Sequence, residues 1–358
     1  VSARRTLAGA LLATAVVVTG CATPGAEQTA AGLDRRHQTI IDGPQRPEDL
    51  IAVPASTWVV SSGVPHGTTT GRLQGVNSTD SAIVDLWPAN AGPARPDRET
   101  YPDCPGPPDA QRFSPHGLDL VATGPGVARL LVVNHGGREA VEVFDVDTAS
   151  SPPLVSWRGC AVLPETVGGN GVAALPDGSG FVATNAYDST KPPDYKAIIE
   201  GRSSGDVRLW QRGTGWTTVP FSALPGPNGV AVSADSKTAY VADWPSRRIV
   251  AIPVAGGLPK TVASLKFLPD NLRTTVRGTI LTTGQDITAE DLGTCGAGEG
   301  PDCPPGFSIV EINPGKGKTK VVYRSEDPEF GMATTAAPVG NEIWVGRVGK
   351  DRIARVSP

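Results

Sequence analysis

Six times along the chain, a short polar phrase opens onto a β-rich apolar run, then a turn, then a second such run. The phrases are Pro47-Glu48-Asp49-Leu50, Pro115-His116-Gly117-Leu118, Gly169-Asn170-Gly171-Val172, Pro227-Asn228-Gly229-Val230, Pro269-Asp270-Asn271-Leu272 and a degenerate sixth, Gly331-Met332-Ala333-Thr334. The third continues as VAALPDGSGFVATN and the fourth as VAVSADSKTAYVAD. Pro176-Asp177-Gly178 and Ala234-Asp235-Ser236 therefore fall where hairpin turns are expected. Six such units at a mean spacing of about fifty-seven residues predict an all-β chain folded as a six-bladed β-propeller, a ring that leaves few sheet edges open. No stretch beyond about two turns carries a 3.6-residue apolar period, which excludes a helical solenoid. A pair of flat sandwiches would leave the shared opening phrase unexplained.

Composition narrows the class further. Of 358 residues, 43 are glycine and 34 proline, about a fifth of the chain and far too many for a helical bundle. The net charge of −4 offers no basic field to gather nucleic acid. Four histidines without a CxxC pair argue against a zinc module. The first twenty residues stand apart. Arg4 and Arg5 precede an apolar stretch from Leu7 to Val18, and Val18-Thr19-Gly20-Cys21 resembles the bacterial lipobox. The expected organisation is a lipoprotein signal peptide over 1–20, a flexible tether over 21–45 beginning with lipidated Cys21, and the propeller over 46–358. That places the protein in a bacterial cell envelope, anchored to a membrane by acyl chains. Removing Cys21 leaves four cysteines in an oxidising compartment and three possible pairings, of which Cys104–Cys160 with Cys295–Cys303 is favoured because the latter two flank a Gly/Pro-rich loop.

In a propeller the innermost strand of each blade lines a central channel, so equivalent positions face one another across it. Aligning the six phrases stacks Glu48, His116, Asn170, Asn228, Asp270 and Met332, with Asn271 adjacent. Two carboxylates and three amide oxygens make a hard, oxygen-only set that suits calcium better than softer metals or magnesium. Each residue alone has a plainer explanation: Asn-Gly pairs make turns, Glu48-Asp49 can cap or face solvent, and Asp270-Asn271 can form an Asx turn. Turns need not agree in register, however, and it is the shared position that points to a metal. His116 sits in the same ring, where an imidazole could take a proton from water beside a cation. His135 ends the apolar run from Leu130 to Asn134 and could equally satisfy buried backbone, while Met332 reads as apolar filling.

The segments FSPHGL (113–118), LLVVNH (130–135) and VEVFDV, with PEDLIAVP (47–54), WVVSSG (58–63) and LPDN (268–271), closely resemble the paraoxonase/arylesterase family. That family belongs to a superfamily of six-bladed propellers with the gluconolactonases and strictosidine-synthase-like proteins. The likeness runs from about residue 45 to 284 and fades in the last two blades. It implies that Glu48, Asn170, Asn228, Asp270 and Asn271 hold a catalytic calcium, and that His116 and His135 form the pair assigned to activating water. It also implies a second, structural calcium at Asp49 and the backbone carbonyl of Leu118. Two departures stand out. The family places an aspartate where this chain has Gly171, which weakens the second site. It also places an aspartate beside its second histidine where this chain has Ala186, so His135 is expected to have lost its orienting acceptor and to be largely structural unless Asp188 substitutes.

Two long segments, 64–112 and 186–206, are candidates to cover the channel mouth. Gly201-Arg202-Ser203-Ser204-Gly205 matches GxSxG, but no histidine follows residue 135 and the flanking pattern is wrong for a nucleophile elbow. Lys316-Gly317-Lys318-Thr319 lacks the leading glycine of a phosphate loop and reads as a hairpin. The expected activity is a calcium-dependent hydrolysis of lactones or aryl esters. The other reading is a non-catalytic propeller that binds a ligand or a protein partner.

Overall fold

The computed structural model describes residues 38–287 and 306–357. A first strand, β1 (Gln38–Asp42), precedes the first blade, which is built from β2 (Pro47–Ala52), β3 (Trp58–Gly63), β4 (Arg72–Asn77) and β5 (Ile83–Trp87). Blade II follows as β6 (Pro115–Gly124), β7 (Val127–Asn134), β8 (Ala140–Asp147) and β9 (Leu154–Val162). Blade III is β10 (Gly168–Ala174), β11 (Gly180–Tyr187), β12 (Asp206–Gln211) and β13 (Gly215–Thr218), with a short helix α1 (Tyr195–Ile199) between its second and third strands. Blade IV is β14 (Pro227–Val232), β15 (Thr238–Asp243), β16 (Arg248–Pro253) and β17 (Lys260–Ser264). Blade V is β18 (Leu268–Thr274), β19 (Ile280–Gln285), β20 (Phe307–Asn313) and β21 (Lys318–Ser325). Blade VI takes β22 (Ala333–Val339), β23 (Glu342–Arg347) and β24 (Arg352–Val356) from the end of the chain and its outermost strand, β1, from the beginning. The protein is thus an all-β, six-bladed propeller.

β1 pairs antiparallel with β24 over five residues, from Gln38 opposite Val356 to Asp42 opposite Arg352. Residues 38–42, which composition assigns to the tether, therefore belong to the propeller. Only Ile41 of the five is buried, with Thr39 and Asp42 exposed, as suits a short strand on the outer edge of a blade. The segment 64–112 also divides differently from the sequence expectation, because it contains β4 and β5. The true excursion is 88–114, and much of it covers the outer edge of blade II. Gly92, Arg95 and Asp97 donate their amides to the carbonyls of Val155, Trp157 and Arg158 on β9. That pairing shields an edge strand that would otherwise present open backbone groups.

The favoured Cys104–Cys160 disulfide is formed, joining the excursion to β9. Cys21, Cys295 and Cys303 lie outside the described residues. Beside the bond, Tyr101 stacks on Trp210, which stacks on Phe181, so the excursion also seals the groove between blades II and III. Replacing Cys104 and Cys160 together by serine is expected to destabilise the protein by about 2–4 kcal/mol, read as a lower denaturant midpoint. An unchanged midpoint would mean that the aromatic stack alone fixes the excursion.

The innermost strands β2, β6, β10, β14, β18 and β22 succeed one another around the ring. Each breaks its pairing register at the same place. Pro47 and Asp49 pair with consecutive residues of β3, so Glu48 is skipped; the equivalent breaks lie between Pro115 and Leu118, Gly169 and Val172, Pro227 and Val230, Pro269 and Leu272, and Ala333 and Thr335. A bulge re-aims the extra residue away from the ladder. This common bulge is the structural origin of the repeated phrase.

Candidate metal centre and histidine pair

The bulges place Glu48, His116, Asn170, Asn228 and Asp270 at one register position on successive inner strands, as the sequence alignment expects. The sixth position differs. Register equates Ala333 with Pro47, so the equivalent of Glu48 is Thr334, not Met332. Thr334 is buried and donates from Oγ1 to the Glu48 carbonyl at 2.5 Å. Met332 lies just outside the strand with Leu268 and Ile287.

One step further along come Asp49, Gly117, Gly171, Gly229, Asn271 and Thr335. Here three blades approach backbone to backbone. A Cβ on Gly117 would lie 2.3 Å from the Asn170 carbonyl oxygen, and one on Gly229 would lie 2.5 Å from that of Asp270. Glycine follows the polar residue because the next blade leaves no room for a side chain, which is a stronger reason than turn formation.

The polar residues of the ring are incompletely satisfied. Glu48 Oε1 accepts from Asn271 Nδ2 at 2.8 Å and lies 3.4 Å from His116 Nε2, and Asp270 Oδ2 accepts from Gln285 Nε2 at 2.7 Å. Their other oxygens, Glu48 Oε2 and Asp270 Oδ1, are buried with no hydrogen-bond partner among the described residues. So are Asn170 Oδ1 and Asn228 Oδ1. A buried acceptor left unpaired is costly, and four at one register position call for a common partner. Burial pushes the Asp270 carboxyl well above the usual carboxylate range, with the nearby Glu48 adding to the effect. Glu48 itself is held below that range against its burial, chiefly by His116 and Asn271. Burial works against a proton on His116, but Glu48, Asp270 and Asp49 hold its imidazole up at about 9. No group of three or more histidine, cysteine, aspartate or glutamate side chains arranged for a metal occurs among the described residues. A cation here would rest on two carboxylates and amide oxygens, the donor set that hard cations accept.

The two histidines meet. His116 Nδ1 lies 2.9 Å from His135 Nε2, with the rings edge to face. His135 does not lack an acceptor. Its Nδ1 lies 2.9 and 3.0 Å from the two carboxylate oxygens of Glu139, supplied by the turn between β7 and β8. Glu139 Oε2 also accepts from the Gly169 amide at 3.3 Å. The expectation drawn from Ala186 is therefore corrected: the carboxylate comes from the histidine's own blade. Asp188 does not take the role, for it accepts from Thr190 and pairs with Lys191 on the surface. An ionised Glu139 can only accept, so His135 carries its proton on Nδ1 and accepts at Nε2. His116 then donates from Nδ1, and in its neutral form the Nε2 lone pair faces the ring; while the imidazole is protonated, Nε2–H faces Glu48 instead.

The second calcium site is not formed as the resemblance implies. Asp49 Oδ1 accepts from the Leu50 amide at 2.9 Å, and its Oδ2 accepts from the Leu118 amide at 2.7 Å and lies 2.5 Å from Arg273 Nη2. At Gly171 a Cβ would meet Val230 N at 2.9 Å and Asn228 O at 3.0 Å, so an aspartate would not fit without moving blade IV. The donor set at Asp49 and Leu118 does not suit a metal, and no chemistry is assigned to one there.

Of the two segments considered as covers, 186–206 carries α1, capped by Asp194, and Tyr187 at its start packs on Gly168. The 88–114 excursion reaches the site only at its end, where Ser114 O accepts from the His135 amide. GxSxG lies in the surface stretch leading to β12, and Lys316–Thr319 lies in the β20–β21 hairpin, as expected.

No family model matches the sequence, and no curated protein does. Solved structures do match in fold. A gluconolactonase from Xanthomonas campestris superposes with a TM-score of 0.54 at 16% identity, covering 90% of this chain and 89% of that one. A luciferin-regenerating enzyme gives 0.54 at 12% identity over 90% and 95% of the two chains. A calcium-binding regucalcin from Agrobacterium tumefaciens gives 0.52 at 13% identity over 89% and 92%. At these identities, what the chain shares with the gluconolactonase and regucalcin structures is the six-bladed propeller fold.

Proposed function

We propose that this protein is a calcium-dependent hydrolase of lactones or aryl esters, working at the open ring of inner-strand bulges. The observation that carries the reading is the set of four unpartnered buried oxygens, from Glu48, Asn170, Asn228 and Asp270, beside a histidine pair whose outer nitrogen is held by a carboxylate. Asn271 completes the ligand set from its place against Glu48. That relatives in fold are named as a gluconolactonase and a calcium-binding regucalcin adds support.

Calcium bound there would supply a Lewis acid that polarises the substrate carbonyl. The chain's own residues do the rest. His116 Nε2 takes a proton from the attacking water, and its Nδ1–H bond to His135 passes part of the gained charge toward Glu139. Glu139 fixes both tautomers, so that once His116 is neutral its Nε2 lone pair faces the water. Glu48 and Asp270 offset positive charge in the ring, and they also attract the proton on His116, so proton and cation compete for one acidic site.

A panel of lactones and aryl esters, assayed with calcium and with chelator, tests the reading. Chelator-sensitive hydrolysis of at least one class is expected, and no turnover of any member by calcium-loaded protein would overturn it. We also propose that Cys21 is the lipidated N-terminus of the mature protein in a bacterial envelope. Mass spectrometry of the membrane fraction should show an acylated Cys21, and an unmodified, secreted chain would remove that part.

A further inference from the structure

We infer that Arg273 is a built-in cation of the channel: its guanidinium, held by Asp49 and by backbone carbonyls of blades I and V, stands in place of a second metal ion, so that the chain binds one calcium and not two. The inference deepens the calcium reading above and rests on it for the count of one, but the guanidinium's role is separately measurable.

Arg273 is on β18 of blade V, and blade V is not a neighbour of blade I. Its side chain nevertheless reaches blade I, where Nε donates to the Leu50 carbonyl at 3.0 Å and Nη2 lies 2.5 Å from Asp49 Oδ2. Nη1 donates to the Leu272 carbonyl at 3.0 Å. Both ends of the pair are withdrawn from water, Arg273 at 7% exposure and Asp49 at 0%. The equivalent positions on the other inner strands are Ile51, Asp119, Ala173, Ala231 and Ala337, so Arg273 is the one cation at this register position. Asp119, the one other charge in that set, is turned to the Ala174 amide. A guanidinium is planar, permanently charged and weakly hydrated, which suits it to bridge a buried carboxylate and two carbonyls. Those are the donors a hard metal would otherwise use. With both Asp49 oxygens engaged and no room for a side chain at Gly171, a second metal lacks ligands as well as space.

Two measurements separate this inference from the calcium reading. Calcium stoichiometry, by titration calorimetry with calcium chloride and by metal analysis after gel filtration, should give one per chain. Two per chain would overturn the inference, and none would instead overturn the proposed calcium site. Thermal unfolding in excess chelator reads the pair directly. Arg273→Met should lower Tm by roughly 10 °C, because it strands a buried carboxylate. The double variant Asp49→Asn/Arg273→Met, in which neither charge remains, should recover more than half of that loss and keep a stoichiometry of one. If Arg273→Met does not fold, the double variant and Arg273→Lys carry the test: a folded double variant with one calcium supports the inference. A Tm unchanged in Arg273→Met, or a calcium lost in the double variant, would refute it.

Discussion

Exhaustive chelation is expected to abolish hydrolysis, and calcium should restore it better than magnesium or zinc. The four free oxygens come from a ring of backbone bulges and not from a flexible loop, so the donors are fixed before any cation arrives. Only two of them carry charge, which makes each charge matter. Asp270 Oδ2 is held at 2.7 Å by Gln285, whose Nε2 also donates to the Ala333 carbonyl, and this aims Oδ1 into the ring. Asp270→Ala should weaken calcium binding by about 100-fold or more, and Gln285→Ala, which only releases the carboxylate, by about 10-fold. Terbium luminescence or calorimetry reads both. Turnover that survives exhaustive chelation, or an Asp270→Ala variant with unaltered affinity, would end the proposal.

Glu139→Gln is expected to lower kcat by about 100-fold while KM and calcium affinity stay near their starting values. A glutamine can donate to His135 Nδ1, and a donor there stabilises the wrong tautomer through both rings, leaving His116 Nε2 protonated and unable to accept. His135→Gln should cost a similar factor and His116→Gln at least as much, because the three act as a unit. The double variant Glu139→Gln/His135→Gln should be little worse than either single change. Asp188→Asn should change kcat by less than about twofold, since its carboxylate serves only a surface turn. A silent Glu139→Gln, or a damaging Asp188→Asn, would refute the assignment.

The ring was legible in the sequence because the bulge recurs with the repeat, and a bulge exposes the same kind of residue each time. Glu48, His116, Asn170, Asn228 and Asp270 could be aligned on the phrase alone. Thr334 could not, since blade VI has Ala333 where the other blades have the proline or glycine that marks the register, and Gly331-Met332 imitates the phrase two residues earlier. Glu139 is hidden because the family resemblance points to the position of Ala186 instead. The available signal was a carboxylate four residues after His135, across the Gly136-Gly137 turn. Arg273 gave no signal, for an arginine in an apolar strand ordinarily points to solvent, and only the ring brings it to Asp49. The tether boundary failed for a similar reason. The partner of residues 38–42 is more than three hundred residues away, and no local pattern announces it.

That long-range pairing has a consequence for any shortened form of the protein. A chain begun at residue 46, where composition alone would trim it, lacks β1 and leaves the outer edge of β24 open. It also removes Ile41 from the cluster of Leu50, Val59, Trp344 and Ile353 that joins blades VI and I. An unpaired strand edge beside an uncovered apolar seam invites pairing with the equally open edge of another molecule. Such a truncation would yield chains that pair edge to edge or aggregate, and any loss of function would report a broken ring and nothing about the residues of the site.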